Sequence, residues 1–260
     1  MKKIILLLLA FILIASVGCG QKEPVATDEG AKEIWIMGLD DTFAPMGFRD
    51  DAGEIVGFDV DLAKAVGEIL NVEIKFQPID WKMKENELNG KNIDLIWNGY
   101  SVTEERKEKT TLSEPYLTNR QIILVLKDSE IQKISDLSEK VVAVQEDSGA
   151  LTAVNDTPEL IGIIKDKKCI EFPTNTEAVM DLKAGRTDAV VVDEVFIRYY
   201  LRQNGTEDEY RILDEALQEE DYAIAMRKGE TDRKEKIDNA IKELKEKGVY
   251  DEIYSKWFAK

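Results

Sequence analysis

Arg106 is the residue of this chain best suited to chemistry on a small ligand. It closes the run Gly99-Tyr100-Ser101-Val102-Thr103-Glu104-Glu105-Arg106. Directly ahead of that run, Ile93 to Trp97 reads as a buried strand, which sets a fixed cation and the Ser101 hydroxyl at a strand's carboxyl end. An arginine there fits a small carboxylate, because its planar fork offers two parallel donors to two oxygens. A second apolar strand, Asp188 to Val192, ends at Asp193, another polar residue suited to a ligand. Open parallel sheets bind ligands outside the carboxyl ends of their strands, so two lobes whose strand ends face each other would form a cleft.

The elements that must position these residues alternate along the chain. Ile34 to Leu39 is a short strand ending at Asp40, and Gly57 precedes an amphipathic helix from about Asp59 to Leu70. Val72 to Phe76 alternates as a strand, and a short helix through Leu88 is expected to close on Gly90. Thr103 caps a helix whose first turn carries Glu104 and Glu105, favourable against its dipole. A second set follows: the strand Val141 to Val144, a segment that Ser148 can cap, a short helix opened by Thr157-Pro158, and a helix from Thr176 to Ala184 stopped by Gly185. The strand Tyr222 to Met226 leads to a long helix from about Thr231, broken at Gly248 and resumed through Ile253, Tyr254, Trp257 and Phe258, whose aromatics are expected to pack in the core.

Composition removes several classes of function. The 260 residues contain no histidine and two cysteines. Histidine-based triads, Cys–His pairs and most zinc sites are excluded, and no catalytic residue, metal or cofactor is expected. A net charge of −17 argues against a nucleic-acid partner and is most simply a solvated, soluble surface. Lys2 and Lys3, the apolar run Ile4 to Ala15 and the small residues before Cys19 describe an export signal, too short to span a membrane as a mature helix. Residues 1–18 are thus expected to be removed, and 19–31, with Pro24 and Gly30, to form a flexible tether. Cys169 is then the one other cysteine, so no disulfide can form inside the mature domain, and it reads as a small buried hydrophobe.

Six runs carry a resemblance across nearly the whole mature chain: Asp40-Asp41-Thr42-Phe43-Ala44-Pro45, Gly57-Phe58-Asp59-Val60-Asp61-Leu62-Ala63, Ser101 to Arg106, Glu114-Pro115-Tyr116, Asp188 to Asp193, and Lys256-Trp257-Phe258. In this order and spacing, residues 32 to 260 resemble the bacterial extracellular solute-binding proteins of family 3, the substrate-binding lipoproteins of polar amino-acid ABC transporters. Ser16-Val17-Gly18-Cys19 likewise resembles a lipobox, with Ser16 where the pattern prefers leucine. The resemblance implies an α/β fold of the periplasmic-binding-protein-like II class, two α/β lobes joined by a two-crossing hinge. Lobe 1 would comprise 32–118 and 223–260, and lobe 2 would comprise 119–222, with crossings near Tyr116 to Gln121 and Glu220 to Ala223. It also implies an amino-acid ligand, an ABC permease as partner, a monomer, and an extracytoplasmic location with a palmitoylated lipid anchor on Cys19.

The family's ligand residues map onto this chain one at a time. Arg106 matches the partner of the ligand's α-carboxylate, with the Ser101 hydroxyl and the Gly99 backbone touching the same head group. Asp193 matches the acceptor of the α-ammonium. Phe43 matches an aromatic over the ligand side chain, Asp40 a position that in some relatives meets a cationic side chain, and Trp81 is a candidate to line the cleft. Trp97 is expected in the core more than in the cleft. One departure concerns the loop Gln145-Glu146-Asp147-Ser148-Gly149, where Asp147 stands in place of the usual glycine. Ser148 can still serve an anion at a helix start, while Asp147 is expected to repel an anionic side chain. The alternatives are an enzyme of the same fold, like the cyclohexadienyl dehydratases with Glu146 or Asp147 as acid, and an amino-acid-sensing domain of a membrane receptor, against which the chain's end at Lys260 without a second span is expected to speak.

Overall fold

The computed structural model describes residues 32–259, so the export signal, Cys19 and the tether expected at 19–31 lie outside the described residues. Strand β1 (Glu33–Leu39) leads into a small antiparallel sheet of β2 (Thr42–Phe43), β3 (Gly47–Arg49) and β4 (Ile55–Val56). Helix α1 (Phe58–Leu70), β5 (Val72–Pro78), α2 (Lys84–Asn89) and β6 (Leu95–Ser101) follow. Then come α3 (Glu104–Lys109), β7 (Thr110–Leu112) and the long β8 (Leu117–Leu126). Next are β9 (Val142–Gln145), α4 (Gly149–Asn155), α5 (Pro158–Ile161), β10 (Ile170–Phe172), α6 (Asn175–Lys183), β11 (Ala189–Asp193) and α7 (Glu194–Asn204). The chain ends through β12 (Tyr210–Ile212), the long β13 (Gln218–Arg227), α8 (Thr231–Glu246) and α9 (Val249–Phe258).

Ten of these strands form one sheet in the order β10-β9-β11-β8-β13-β6-β1-β5, with β12 beside β8 and β7 beside β13. Each half repeats one plan. Three parallel strands, β10, β9 and β11 or β5, β1 and β6, are flanked by one long antiparallel strand. The long strands pair with each other from Gln218↔Gln121 to Tyr222↔Leu117, and each then runs on into its own half. Residues 117–121 and 218–222 thus run side by side between the two halves of the sheet.

Alternation along the strands explains why both faces are covered. In β8, Ile122 and Leu124 join the core shared with α1, α6 and α7, whereas Ile123 and Val125 join a second core with Val142, Val144 and Ala150. Two of the terminal aromatics pack against the core as expected: Phe258 lies 5.1 Å from Phe58 between ring centroids, and Trp257 Nε1 donates to Asp61 at 2.8 Å. Tyr254 does not: it is 43% exposed, its ring tilted against that of Phe258. Cys169 is buried, which pushes its thiol up to about 12.

The local signals at helix ends hold with one correction. Thr103 and Ser148 accept from Arg106 N and Leu151 N at 3.2 Å each, and Gly185 and Gly248 take the left-handed conformation. Gly90 does not: its φ is −71°, and the chain turns left-handed one residue later at Lys91. The Gly90 amide is already bonded to Asn86 O, so the reversal falls on the next residue. Strand β6 also begins two residues later than Ile93 and runs on through Ser101, because β13 pairs with Tyr100 and Ser101.

Side chains clasp the two halves where their strand ends meet. Lys84, wholly buried, donates to the Asp147 carbonyl at 2.8 Å and to its carboxylate at 2.5 Å, and Lys82 pairs with Glu146 at 2.8 Å. Gln145 Nε2 donates to Asp40 Oδ2 at 2.8 Å. A buried ammonium needs such partners, since its hydration is lost; Asp147 is half exposed, so the pair is partly screened. Replacing Lys84→Met is expected to destabilise the joined halves by about 1–3 kcal/mol. Thermal unfolding should show a lower midpoint and small-angle scattering a larger radius of gyration; unchanged values for both would mean the clasp contributes nothing.

Candidate ligand-binding site

The parallel strands bring their carboxyl ends to one place. Asp40 follows β1, Asn98 to Ser101 end β6, Gln145 ends β9 and Asp193 ends β11. Together with Phe43, Trp81, Arg106, Ser148 and Gly149 they line one small cavity. All eight candidate residues, Asp40, Phe43, Trp81, Gly99, Ser101, Arg106, Ser148 and Asp193, thus meet around one space. Each candidate side chain in the lining is at most 6% exposed.

Arg106 is aimed by the backbone. Its Nη1 donates to Ser101 O at 3.0 Å and its Nη2 to Asp147 O at 3.1 Å, one carbonyl from each half. Its guanidinium carbon sits 4.3 Å from the Tyr100 ring centroid. Two fixed acceptors and an aromatic face set the plane of the group and leave further N–H donors for an anion. Tyr100 is held in turn by Glu85, to which its hydroxyl donates at 2.8 Å.

Asp193 stands at the start of α7 but does not cap it; Asn119 Oδ1 accepts Val195 N at 3.3 Å instead. One carboxylate oxygen, Oδ1, gathers three donors: Asn119 Nδ2 and Gln121 Nε2 at 2.8 Å each and the Tyr222 hydroxyl at 2.5 Å. The partners of Oδ1 leave Oδ2 for the cavity. Burial, and then the neighbouring Glu220 charge, push Asp193 up to about 8. A buried carboxylate in this condition attracts a cation strongly, because a cation removes the penalty of desolvation.

The loop after β1 is held by Asp40. Its Oδ1 accepts Thr42 N at 2.9 Å and Thr42 Oγ1 at 2.6 Å, and burial raises its carboxyl above the usual range. Phe43 stacks on Phe196 with centroids 5.6 Å apart, while Trp81 meets Tyr100 edge-on at 6.3 Å. Asp41 lies outside the cavity, paired with Arg49 at 2.6 Å. Trp97 is wholly buried in the core against Tyr116, as expected, and is absent from the cavity lining.

Three expectations need adjustment. The Asp147 carboxylate faces Lys84 rather than the cavity, so its charge is neutralised and does not repel an anionic ligand group as the substituted loop suggested. The Gly99 amide is committed to Asp59 Oδ2 at 2.9 Å, which leaves the carbonyl as its polar group toward a ligand. A glycine is required there: φ is +57°, and an added Cβ would lie 2.7 Å from the Phe43 ring. The Ser148 hydroxyl already donates to Gln145 O at 2.7 Å and accepts from Leu151 N, so it shapes the loop.

Gln145, Asn98, Gly149 and Glu220 were not singled out as site residues. Gln145 and Asn98 could have been found by the same strand-end rule that pointed to Ser101 and Asp193. Glu220 carries no such local signal. It reaches the site through the pairing of β8 and β13, which sets Glu220 opposite Asn119. Asp59, wholly buried and pushed up to about 8 by burial, anchors Gly99 and the Tyr116 hydroxyl.

The chain is similar to known binding proteins along its whole length. The chain is 32% identical over 264 residues, 99% of this chain and 98% of the relative, to the arginine-binding extracellular protein ArtP of Bacillus subtilis (strain 168). It is 30% identical over 268 residues to a probable histidine-binding protein of Neisseria gonorrhoeae, covering 100% of this chain and 97% of that one. A solved ABC uptake transporter substrate-binding protein from Streptococcus pneumoniae, with bound histidine, superposes with a TM-score of 0.85 at 38% identity over 87% of this chain and 93% of its own. The fold is therefore that of the periplasmic solute-binding proteins, two α/β lobes joined by two crossing strands. The family model described as bacterial extracellular solute-binding proteins, family 3, matches residues 35–260, and the chain belongs to that family.

Proposed function

We propose that this protein captures a free amino acid outside the cytoplasm, closes its two lobes on it, and delivers it to an ABC permease. The observation that carries the reading is the meeting of Arg106 and Asp193, 87 positions apart in sequence (193 − 106), in the lining of one cavity. A zwitterion needs one fixed cation and one fixed anion. Arg106 and Ser101 hold the α-carboxylate, and Asp193 receives the α-ammonium. Phe43 and Trp81 flank the side chain, and Asp40 stands as an additional carboxylate in the lining. After the head group is matched, that negative charge favours a side chain with a cation or several donors. The relatives named for arginine and histidine support this preference.

Lobe 1 comprises 32–118 and 223–260 and lobe 2 comprises 119–222, which places both breaks on the ladder that joins the halves. Closure then brings Lys84 and Arg106 of the first lobe onto the Asp147 loop of the second, and the permease reads that closed arrangement. The protein acts as a monomer, tethered by residues 19–31 to a lipid on Cys19. Glu146 and Asp147, the acids on which an enzyme reading would rest, are engaged by Lys82 and Lys84 and stand outside the cavity lining, which favours binding without turnover.

Calorimetric titration of ligand-stripped protein with the common L-amino acids tests the reading. L-arginine or L-histidine is expected to bind with a dissociation constant of about micromolar or tighter. Arg106→Ala removes charge-assisted bonds of about 1.5–3 kcal/mol each and should weaken binding about a hundredfold while the unfolding midpoint barely moves. The reading fails if no amino acid binds below millimolar. For the anchor, Cys19→Ser should move the protein from the membrane fraction to the soluble extracytoplasmic fraction; membrane retention by the variant would exclude a lipid on Cys19.

A further inference from the structure

Glu220 is a carboxylate to which the amino-acid reading gives no role. It is 8% exposed and shares both of its donors with Asp193. Asn119 Nδ2 reaches Asp193 Oδ1 and Glu220 Oε1 at 2.8 Å each, and Gln121 Nε2 reaches the same two oxygens at 2.8 and 2.7 Å. Two oxygens bonded to the same two nitrogens at these lengths are close neighbours. The second Glu220 oxygen, Oε2, reaches the cavity side: a Cβ built on Gly149 would lie 2.9 Å from it and 2.3 Å from Ser101 Oγ, and both Gly149 and Ser101 line the cavity.

Among the described residues, no lysine or arginine forms an ion pair with either carboxylate. Their bonded partners are the Asn119 and Gln121 amides and, for Asp193, the Tyr222 hydroxyl. Gly149 from α4 and Ser101 from β6, neither titratable, lie on the side of the Glu220 Oε2 oxygen, and Arg106 is the cation that shares the cavity lining with Asp193. Burial raises the Tyr222 hydroxyl well above its ordinary range, so it stays a neutral donor. Two like charges held together away from water do not both remain ionised unless a cation joins them.

Building on the reading of Asp193 as the ammonium partner, we propose that Asp193 and Glu220 form one seat that shares a proton in the ligand-free protein and exchanges it for the ligand's ammonium group. The proton leaves to solvent, the ammonium keeps its three hydrogens and donates them to the vacated oxygens, and no covalent bond between heavy atoms changes. Glu220 is thus a positioning residue that makes the seat demand a full positive charge. Proton release follows, and affinity depends on pH even for a ligand that does not itself titrate. The raised Asp193 carboxyl supports this and fixes the sign. Below its folded value the seat is protonated and the ligand must displace the proton, so affinity rises with pH by up to about tenfold per unit and levels off above that value.

The test uses L-arginine, whose charges stay constant between about pH 5.5 and 7.5, in calorimetry with buffers of different ionisation enthalpy. Wild type is expected to release close to one proton per ligand and to bind more tightly as pH rises; Glu220→Gln should release less than half as much and show a flatter profile. No proton release by wild type, or equal release by the variant, overturns the proposal. A second arm needs no ligand. A seat raised above its unfolded value contributes stability below about pH 4 that is lost as pH rises through the folded value of about 8. The unfolding midpoint of Glu220→Gln should therefore gain on wild type between about pH 5 and 8, and a constant difference overturns the seat. If L-arginine fails to bind while this gain appears, the seat stands and the ligand reading of the cavity is the one that fails.

Discussion

The ladder between Leu117–Leu126 and Gln218–Arg227 is the constraint on which the rest of the structure depends. Among the described residues it is the backbone pairing that joins the two halves of the sheet, and it carries side chains of the site on its own rungs. Asn119 stands opposite Glu220 and Leu117 opposite Tyr222. Because side chains alternate along a strand, Asn119 and Gln121 share a face, as do Glu220 and Tyr222. A slip of one residue would turn all four away from Asp193. The pairing that joins the halves and the donors of Asp193 are therefore the same few residues.

Desolvation organises what surrounds that ladder. Burial removes water from Asp40, Asp59, Asp193, Arg106 and Lys84, and each has donors or acceptors in exchange. Asp59 has the Gly99 amide and the Tyr116 hydroxyl, and Asp40 has Thr42 and Gln145. Arg106 has two carbonyls and Lys84 has Asp147. Asp193 and Glu220 differ from these in being two carboxylates side by side on the same neutral donors. Such a pair is suited to a ligand that brings a cation.

The same accounting separates residues that shape the cavity from those free to meet a ligand. The Ser148 hydroxyl, the Gly99 amide and one oxygen of Asp193 are committed to the protein itself. Their work is to hold a geometry with few rotamers left to lose on binding, which is how a small cavity reaches useful affinity from a handful of polar contacts. Asp147 shows the reverse case. A left-handed φ of +52° at a non-glycine residue is tolerated because Lys84 holds its carboxylate and Lys84 and Arg106 hold its carbonyl.

Much of this was legible in the chain alone. Apolar runs ending in Asp40, Ser101 and Asp193 marked the strands and their functional ends, Thr103 and Ser148 marked helix starts, and the absence of histidine limited the chemistry. These are local properties, written in residue type and period. What the tertiary structure decided was which charges meet. The partnership of Lys84 with Asp147 spans 63 positions and the shared donors of Glu220 and Asp193 come from a strand about a hundred residues before Glu220. Such contacts depend on the register of one long ladder and on how the halves close, and no short pattern encodes either. The sequence by itself determined the charged and apolar groups at the strand ends; only the folded chain decided that Asp147 is neutralised and that Asp193 is not alone.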